Sequence, residues 1–444
     1  MPLTEPFEEF ETKTVPAELM VRDGQLDIYP GVHKQDLFAI RYTEKGLQLQ
    51  ARGFIGVIPI NDRLTMEVRP RFTVANLNRL VDISSVPPKL LRDAIRTYGR
   101  SGVIYPSLIT FYASALERAV SEVKSRGLLR TYEWREEVSS SPRGKILVGK
   151  TLTAAVAHGI PNKAAFGWHE RTIDIPANRA LLYAVHRLAG HNRRAGRDGR
   201  EADYRQVARR LNRCQQQLAG VTLDTTGGFL NDPLVTGAAS IPSVRSYYRP
   251  AIDLAQAIIE GQAVDIQSQA GNLRLPSLLL DMGTIFEAYL RNTLKRAATT
   301  SGWPVRILDG NRGGPTGARK ANLLDDGPIK FEATPDIVIA DGTDRIRRNL
   351  CVLEVKYKPA NEGGRPERED LNQTLAYGIS YGATSVVIAQ PCQRKQISGL
   401  KPLGALRGMQ IYSYLYDLSA GDLAQEERKF AREILRVTGV TTAL

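Results

Sequence analysis

Two stretches of this chain place acids inside apolar runs: Thr334-Pro335-Asp336-Ile337-Val338-Ile339 and Val352-Leu353-Glu354-Val355-Lys356-Tyr357. A lone carboxylate in such a run is costly to desolvate, so its presence asks for a purpose. If the two runs pair as a hairpin across the polar loop 341–349, Asp336 and Glu354 point to one face near its end. They then form a two-carboxylate oxygen cage suited to Mg²⁺, with Mn²⁺ as a substitute. The backbone carbonyl of Val355 is a further candidate ligand. Lys356 lies two residues beyond Glu354, so strand alternation puts both side chains on one face. These are the parts of metal-assisted phosphodiester hydrolysis. The cation polarises the scissile phosphate and acidifies a bound water, while Lys356 orients that water or offsets charge in the transition state.

The elements that must position these residues are readable around them. Residues 277–296 have helical periodicity, with Leu278, Met282, Ile285, Phe286, Tyr289 and Leu290 on the apolar side and Glu287 beside them. Candidate strands follow at 305–308, 335–340 and 350–355, then a helix at 369–379, a strand at 385–390, a strand at 410–415 and a closing helix at 423–437. On the 369–379 helix Gln373 and Tyr377 are four apart and share a face, with Asp370 one turn earlier. Upstream, short strand-like runs between Val15 and Phe72 are separated by Gly, Asp and Pro, with Asn61-Asp62-Arg63 as a hairpin turn and Pro70 ending the last run. Helical periodicity runs from Asn76 and again from Pro106 to Gly127. A β-rich stretch follows at about 132–175, and helices are expected near 177–188 and 203–218.

The reading is therefore multidomain α+β. A β-rich N-terminal region (1–175) is followed by a helical, Arg-rich connection (176–270) and an α/β region (271–444).

Of the 444 residues, 60 are Lys or Arg and 47 are Asp or Glu, a net charge of +13. Such a surplus favours a polyanionic partner such as nucleic acid over a neutral small molecule. Residues 187–213 carry nine Arg against three acids, almost half of that excess, and fit either a DNA-tracking surface or a solvated helix face. Cys214, Cys351 and Cys392 are few and far apart, which excludes a disulfide framework. His33, His158, His169, His186 and His191 are scattered, which argues against zinc or His-based catalysis. The segment Met1–Thr14 is acidic and polar where a signal peptide would be basic and then apolar, and no apolar run reaches membrane-span length. A cytoplasmic location without membrane contact is expected. Gly310–Gly317 lacks the Lys-Ser/Thr of a phosphate loop and reads as a connection.

Pro335-Asp336, then 17 residues, then Glu354-Val355-Lys356 resembles the PD-(D/E)xK nuclease superfamily over about residues 277–390. The order of predicted elements agrees with that family's αβββαβ core. The resemblance implies that Glu287 sits where many members keep a metal-assisting acid. It also implies that Gln373 and Tyr377 match the Gln-xxx-Tyr element lining the site in RecB-like branches.

The whole chain resembles the McrC family, nuclease subunits of McrBC-type modification-dependent restriction systems. The resemblance rests on the stretch from Arg52 to Ile58, the stretch from Leu64 to Arg71, the turn from Ser141 to Ile146, Asn178-Arg179 and Phe286-Glu287. It implies that the β-rich region inserts into a hexameric ring of McrB-like AAA+ GTPase subunits and stimulates hydrolysis. The C-terminal nuclease would then cleave double-stranded DNA whose modified base the partner recognises. Arg52, Arg63, Arg69 and Arg71, clustered around the β-rich tip, are candidates for that stimulation. Two alternatives stay open: a stand-alone RecB-like or resolvase-like nuclease, and a non-catalytic adaptor of an AAA+ ring.

Overall fold

A computed structural model of the chain describes residues 3–86, 89–98, 105–195, 201–263, 273–312, 317–324, 326, 329–342, 348–358, 360–393 and 396–440. They form two compact units, one of Met1–Ala94 with Ser277–Leu444 and one of Ile95–Pro276. The units meet after 94 and after 276, where the sequence reading divides the chain after 175 and after 270. The first unit is discontinuous because strand pairing ties residues 279–281 back to residues 54–56.

In the first unit, a five-stranded sheet runs in the order Leu3–Glu8, Leu64–Arg69, Phe54–Pro59, Leu273–Asp281, Lys89–Tyr98. Thr12–Thr14, Gly46–Ala51 and Phe38–Thr43 form a three-stranded sheet beside it. The alternating apolar residues Phe7, Leu49, Ile58 and Met66 of these strands are buried in one core with Met20 from the connection between them, and Leu279 joins from the far end of the sequence. The Asn61 turn is held from inside. Its Oδ1 accepts the backbone N–H groups of Arg63 (2.9 Å) and Leu64 (2.8 Å), and its amide donates to the carbonyls of Leu19 and Asp27, both at 2.8 Å.

The expected 277–296 helix begins later. Leu279, Leu280 and Asp281 pair as strand with Gly56, Ile55 and Phe54, and the helix is Met282–Thr300. Asp281 sets this start, its carboxylate accepting the Thr284 N–H at 3.2 Å as an N-cap.

The C-terminal part is a six-stranded mixed sheet in the order Val305–Asp309, Ile337–Asp341, Asn349–Val355, Ser385–Pro391, Met409–Tyr416, Gly399–Leu406. Its first three strands are antiparallel, the next two pairings are parallel, and the last is antiparallel. Helices Met282–Thr300, Arg368–Ser380 and Leu423–Val437 pack against it, so Ser385–Pro391 is buried along its whole length. Gly399–Leu406 is a strand the sequence hides. Its Pro402 and Gly404 read as turn residues and instead flank a bulge on a sheet edge.

The second unit has the helices Tyr105–Arg126, Pro176–Ala195, Glu201–Gln217 and Tyr248–Ala263, and a sheet of Thr131–Ser139, Ala164–Thr172 and Lys145–Ile146. The β-rich stretch expected at 132–175 is interrupted by a helix at Val148–Ala154. Asn178 is fully buried. Its amide donates to the carbonyls of Leu129 (3.1 Å) and Ile173 (2.7 Å), and it accepts the Tyr248 hydroxyl at 2.8 Å. Within the Arg-dense stretch, Arg210 and Arg213 pair with Glu117 at 3.0 and 2.8 Å, while 196–200 lies outside the described residues. Among the described residues no helix is long and apolar enough to cross a membrane.

Candidate active site

The strands Ile337–Asp341 and Asn349–Val355 form an antiparallel pair in which Ile337 faces Leu353. One step further along this register, Asp336 faces Glu354 at the open end. Glu354 is 3 % exposed, the one acid of a strand otherwise filled by Leu350, Cys351, Val352 and Leu353. Asp336 is fixed by three contacts. Its Oδ2 accepts the Val355 N–H at 2.7 Å, its Oδ1 accepts the Asn311 amide at 3.3 Å, and its carbonyl accepts the Gly310 N–H at 3.4 Å. Gly310 is required for this approach, since a Cβ there would stand 1.9 Å from the Pro335 carbonyl oxygen.

Lys356 N–H donates to the Ala389 carbonyl on one side of its strand, and Val355 N–H donates to Asp336 on the other. Because the N–H and C=O of one strand residue point the same way, the Val355 carbonyl turns towards Asp336. The Lys356 ammonium donates to Glu354 Oε1 at 2.8 Å and to Gln373 Oε1 at 2.9 Å, and the Gln373 amide donates to the Tyr377 hydroxyl at 2.9 Å. Tyr377 lies 3.5 Å from the Thr334 hydroxyl, which closes a chain from the helix back to the strand carrying Asp336. Five of the sequence candidates, Asp336, Glu354, Lys356, Gln373 and Tyr377, are thus joined in one network with the backbone of Val355. Asp370 turns aside from it to pair with Lys358 at 2.9 Å.

Glu287, on the Met282–Thr300 helix, stands at the edge of this cluster. Its carboxylate pairs with Arg291 at 2.5 Å, and Arg291 also reaches Asp309 at 3.3 Å. Among the described residues no three His, Cys, Asp or Glu side chains are gathered into a group that could hold a metal ion. Asp309, 6 % exposed, also accepts the Asn311 N–H at 3.0 Å and so orients the residue that holds Asp336. Asp309 and Asn311 were not anticipated. The available signal was that Asp309 ends the run Ile307-Leu308 with an acid, as Asp336 opens another.

The site's electrostatics are those of acids withdrawn from water beside one another. Burial, then the charge of Glu354, pushes Asp336 up to about 7. Burial, then the charge of Asp336, pushes Glu287 up to about 7. Burial raises Glu354 as well, against the pull of its Lys356 hydrogen bond. For Lys356 burial works against the charge, but Glu354, with Asp336 and Asp370 behind it, holds the ammonium above the ordinary lysine value. One atom is left over: Glu354 Oε2 is buried without a hydrogen-bond partner.

The arginines of the β-rich tip have local partners. Arg63 donates to the carbonyls of Glu18 (2.5 Å) and Val21 (3.3 Å) and to Asp27 (2.9 Å), and so ties down the turn; Arg52 pairs with Asp36 at 2.6 Å and Arg69 with Glu67 at 2.7 Å. Arg71 lies over the Phe10 ring, 5.3 Å from its centroid.

The family model described as McrBC 5-methylcytosine restriction system component matches residues 49–388. Among solved structures, the chain is similar to one in the refined half-complex from a tetradecameric assembly of Thermococcus gammatolerans McrB AAA+ hexamers with bound McrC. The two are 17 % identical with a TM-score of 0.50, over 98 % of this chain and 100 % of that one. A chain in the cryo-EM structure of the Thermococcus gammatolerans McrBC complex matches at 14 % identity and a TM-score of 0.31, over 66 % of this chain and 88 % of that one. No curated protein matches. The first of these structures shares a fold with this chain, and the family model spans both its β-rich part and the carboxylate-bearing strands. The chain belongs to the McrBC 5-methylcytosine restriction system component family.

Proposed function

We propose that the chain is the Mg²⁺-dependent DNA endonuclease subunit of an McrBC-type complex, built on a PD-(D/E)xK core between Met282 and Pro391. Its partner is an McrB-like AAA+ GTPase ring that it stimulates and that activates it. The observation that carries the nuclease reading is the Asp336, Glu354 and Lys356 cluster at the end of one hairpin, with Glu354 Oε2 buried and unpartnered. Support for the partner is that a structural neighbour comes from a half-complex of McrB AAA+ hexamers with bound McrC.

The donor set fits a hard divalent cation. Asp336, Glu354 and the Val355 carbonyl offer oxygens only, and an orphaned buried carboxylate oxygen is what a cation would satisfy. When bound, Mg²⁺ supplies Lewis-acid polarisation of the phosphate and a more acidic water. The chain's own residues do the rest. Asp336 is fixed by Asn311 and the Val355 N–H. Lys356 brings a positive charge, oriented by Gln373 and Tyr377, to the side where negative charge develops on the phosphate oxygens.

The test is cleavage by the complex reconstituted with its GTPase partner, Mg²⁺ and GTP. Asp336→Asn and Glu354→Gln are expected to abolish cleavage while GTP hydrolysis continues. Cleavage that survives either substitution removes the catalytic assignment and leaves the adaptor role. Cleavage of DNA by the wild-type chain alone, with Mg²⁺ and no nucleotide, would instead support the stand-alone nuclease.

A further inference from the structure

The Met282–Thr300 helix, which carries Glu287 near its start, presents a second and different environment near its end. There a cavity of about 420 Å³ opens between this helix, Leu423–Val437 and Arg79 of Val74–Ser84. Four of the charged residues lining it are arginines, Arg79, Arg296, Arg428 and Arg432, and one, Glu427, is an acid. Glu427 is already committed to Arg79, which it meets through two hydrogen bonds of 2.6 Å. Arg428 has only a loose partner in Asp422 at 3.8 Å, and Arg296 and Arg432 have no acidic partner among the described residues. Arg428 and Arg432 are four apart on one helix, where like charges repel. Local helix energetics therefore disfavour the arrangement.

Thr293, 5 % exposed, lines the same cavity, and its hydroxyl is buried without a hydrogen-bond partner. Unpaired guanidinium groups converging with an orphaned hydroxyl donor describe a receptor for phosphate oxygens. Trp303 completes the wall. It also lines an adjoining cavity, again about 420 Å³, with the cations Lys295 and Arg306. An aromatic face between two cation-lined hollows is the arrangement that follows a nucleic-acid strand, with phosphates on the cations and a base or sugar on the ring.

We propose that this cavity is a phosphate-binding subsite that holds the backbone of a DNA strand, with Trp303 as its stacking wall. The inference rests on the nuclease reading above. Nine residue steps separate Glu287 from Arg296, roughly 14 Å along the axis at about 1.5 Å per step and about two and a half turns, so the cavity opens on the side of the helix away from Glu287. The subsite sets register along the strand and carries no base specificity.

The experiment measures binding of a short DNA duplex with a single-stranded overhang to the full chain, without metal, across a salt series. Arg296→Gln with Arg432→Gln is expected to weaken binding at least tenfold and to reduce the salt slope by about 2, whatever the sequence. Trp303→Ala weakens binding and Trp303→Phe restores most of it. Unchanged affinity and slope in the arginine variant, with a wild-type melting curve, would overturn the subsite. Displacement by guanosine monophosphate at the same concentration as the oligonucleotide would assign the cavity to a free nucleotide and overturn the strand assignment. Asp336→Asn, assayed in parallel for cleavage by the reconstituted complex, tests the nuclease reading by itself. A failed nuclease reading, seen as Asp336→Asn that still cleaves, is thereby distinguished from a failed subsite.

Discussion

Lys356 balances the charge of a carboxylate that is otherwise buried, and its own position depends on Gln373, which in turn depends on Tyr377. A hydrogen bond to a charged group contributes about 1.5–3 kcal/mol, so Gln373→Ala is expected to slow cleavage by the complex by roughly ten- to a hundredfold. Tyr377→Phe removes only a hydroxyl that orients the glutamine amide, and its effect is expected to be smaller. Single-turnover rates at saturating Mg²⁺ check this ranking, and equal rates for wild type and Gln373→Ala would contradict it. Gly310→Ala acts through space. The new methyl group collides with the Pro335 carbonyl, so Asp336 must move from its contact with Val355. The variant is expected to lose Mg²⁺ binding by calorimetry while its far-UV dichroism stays that of the wild type. The acids Asp336 and Glu354 were legible in the sequence because each interrupts an apolar strand. Asp309, Asn311 and Gly310 were not, because their role comes from a strand pairing that brings residues about 25 positions apart into contact.

At the scale of elements, periodicity located five of the six strands of the C-terminal sheet, and the Leu423–Val437 helix beside it at the bounds expected. It failed where tertiary pairing overrides a local pattern. Residues 277–281 fit a helix by spacing but are strand, because Phe54–Gly56 offers them a partner and Asp281 caps the helix that starts after them. The Gly399–Leu406 strand was hidden by residues that break strands except at an edge. Asp281→Ala removes the cap without touching the pairing, so a loss of about 1 kcal/mol is expected from urea midpoints. Asp281→Asn is expected to keep most of it. If both variants lose the same amount, the carboxylate acts through charge at the helix N-terminus and not as a hydrogen-bonding cap.

At the scale of the molecule, one unit is assembled from two ends of the chain, and its stability depends on buried polar groups as well as on its core. Glu9, near the start, is 2 % exposed and accepts the Tyr357 hydroxyl at 2.7 Å and the Arg71 N–H at 3.3 Å, so it ties the N-terminal segment to the residue after Lys356. Burial outweighs these bonds and pushes its carboxyl up to about 7. The folded chain therefore keeps a proton that the unfolded chain releases above about 4.5, the ordinary value. Where the native state binds more protons, stability falls as pH rises. The contribution is full below about 4.5, declines through about 7 and is absent above. Asp336 and Glu287, also raised to about 7, add to the same slope. In the absence of metal, the chain is accordingly expected to be less stable at pH 8 than at pH 5. Glu9→Gln, which imitates the protonated form, is expected to remove Glu9's share, on the order of 2 kcal/mol. Urea unfolding at the two pH values reads this directly. An unchanged difference between wild type and Glu9→Gln would mean that Glu9 is ionised in the folded chain at pH 5. Adding Mg²⁺ should raise stability more at pH 8 than at pH 5, because holding the cation requires Asp336 and Glu354 to give up their protons. Glu354→Gln, with one carboxylate fewer, should abolish that gain and leave the Glu9 contribution intact.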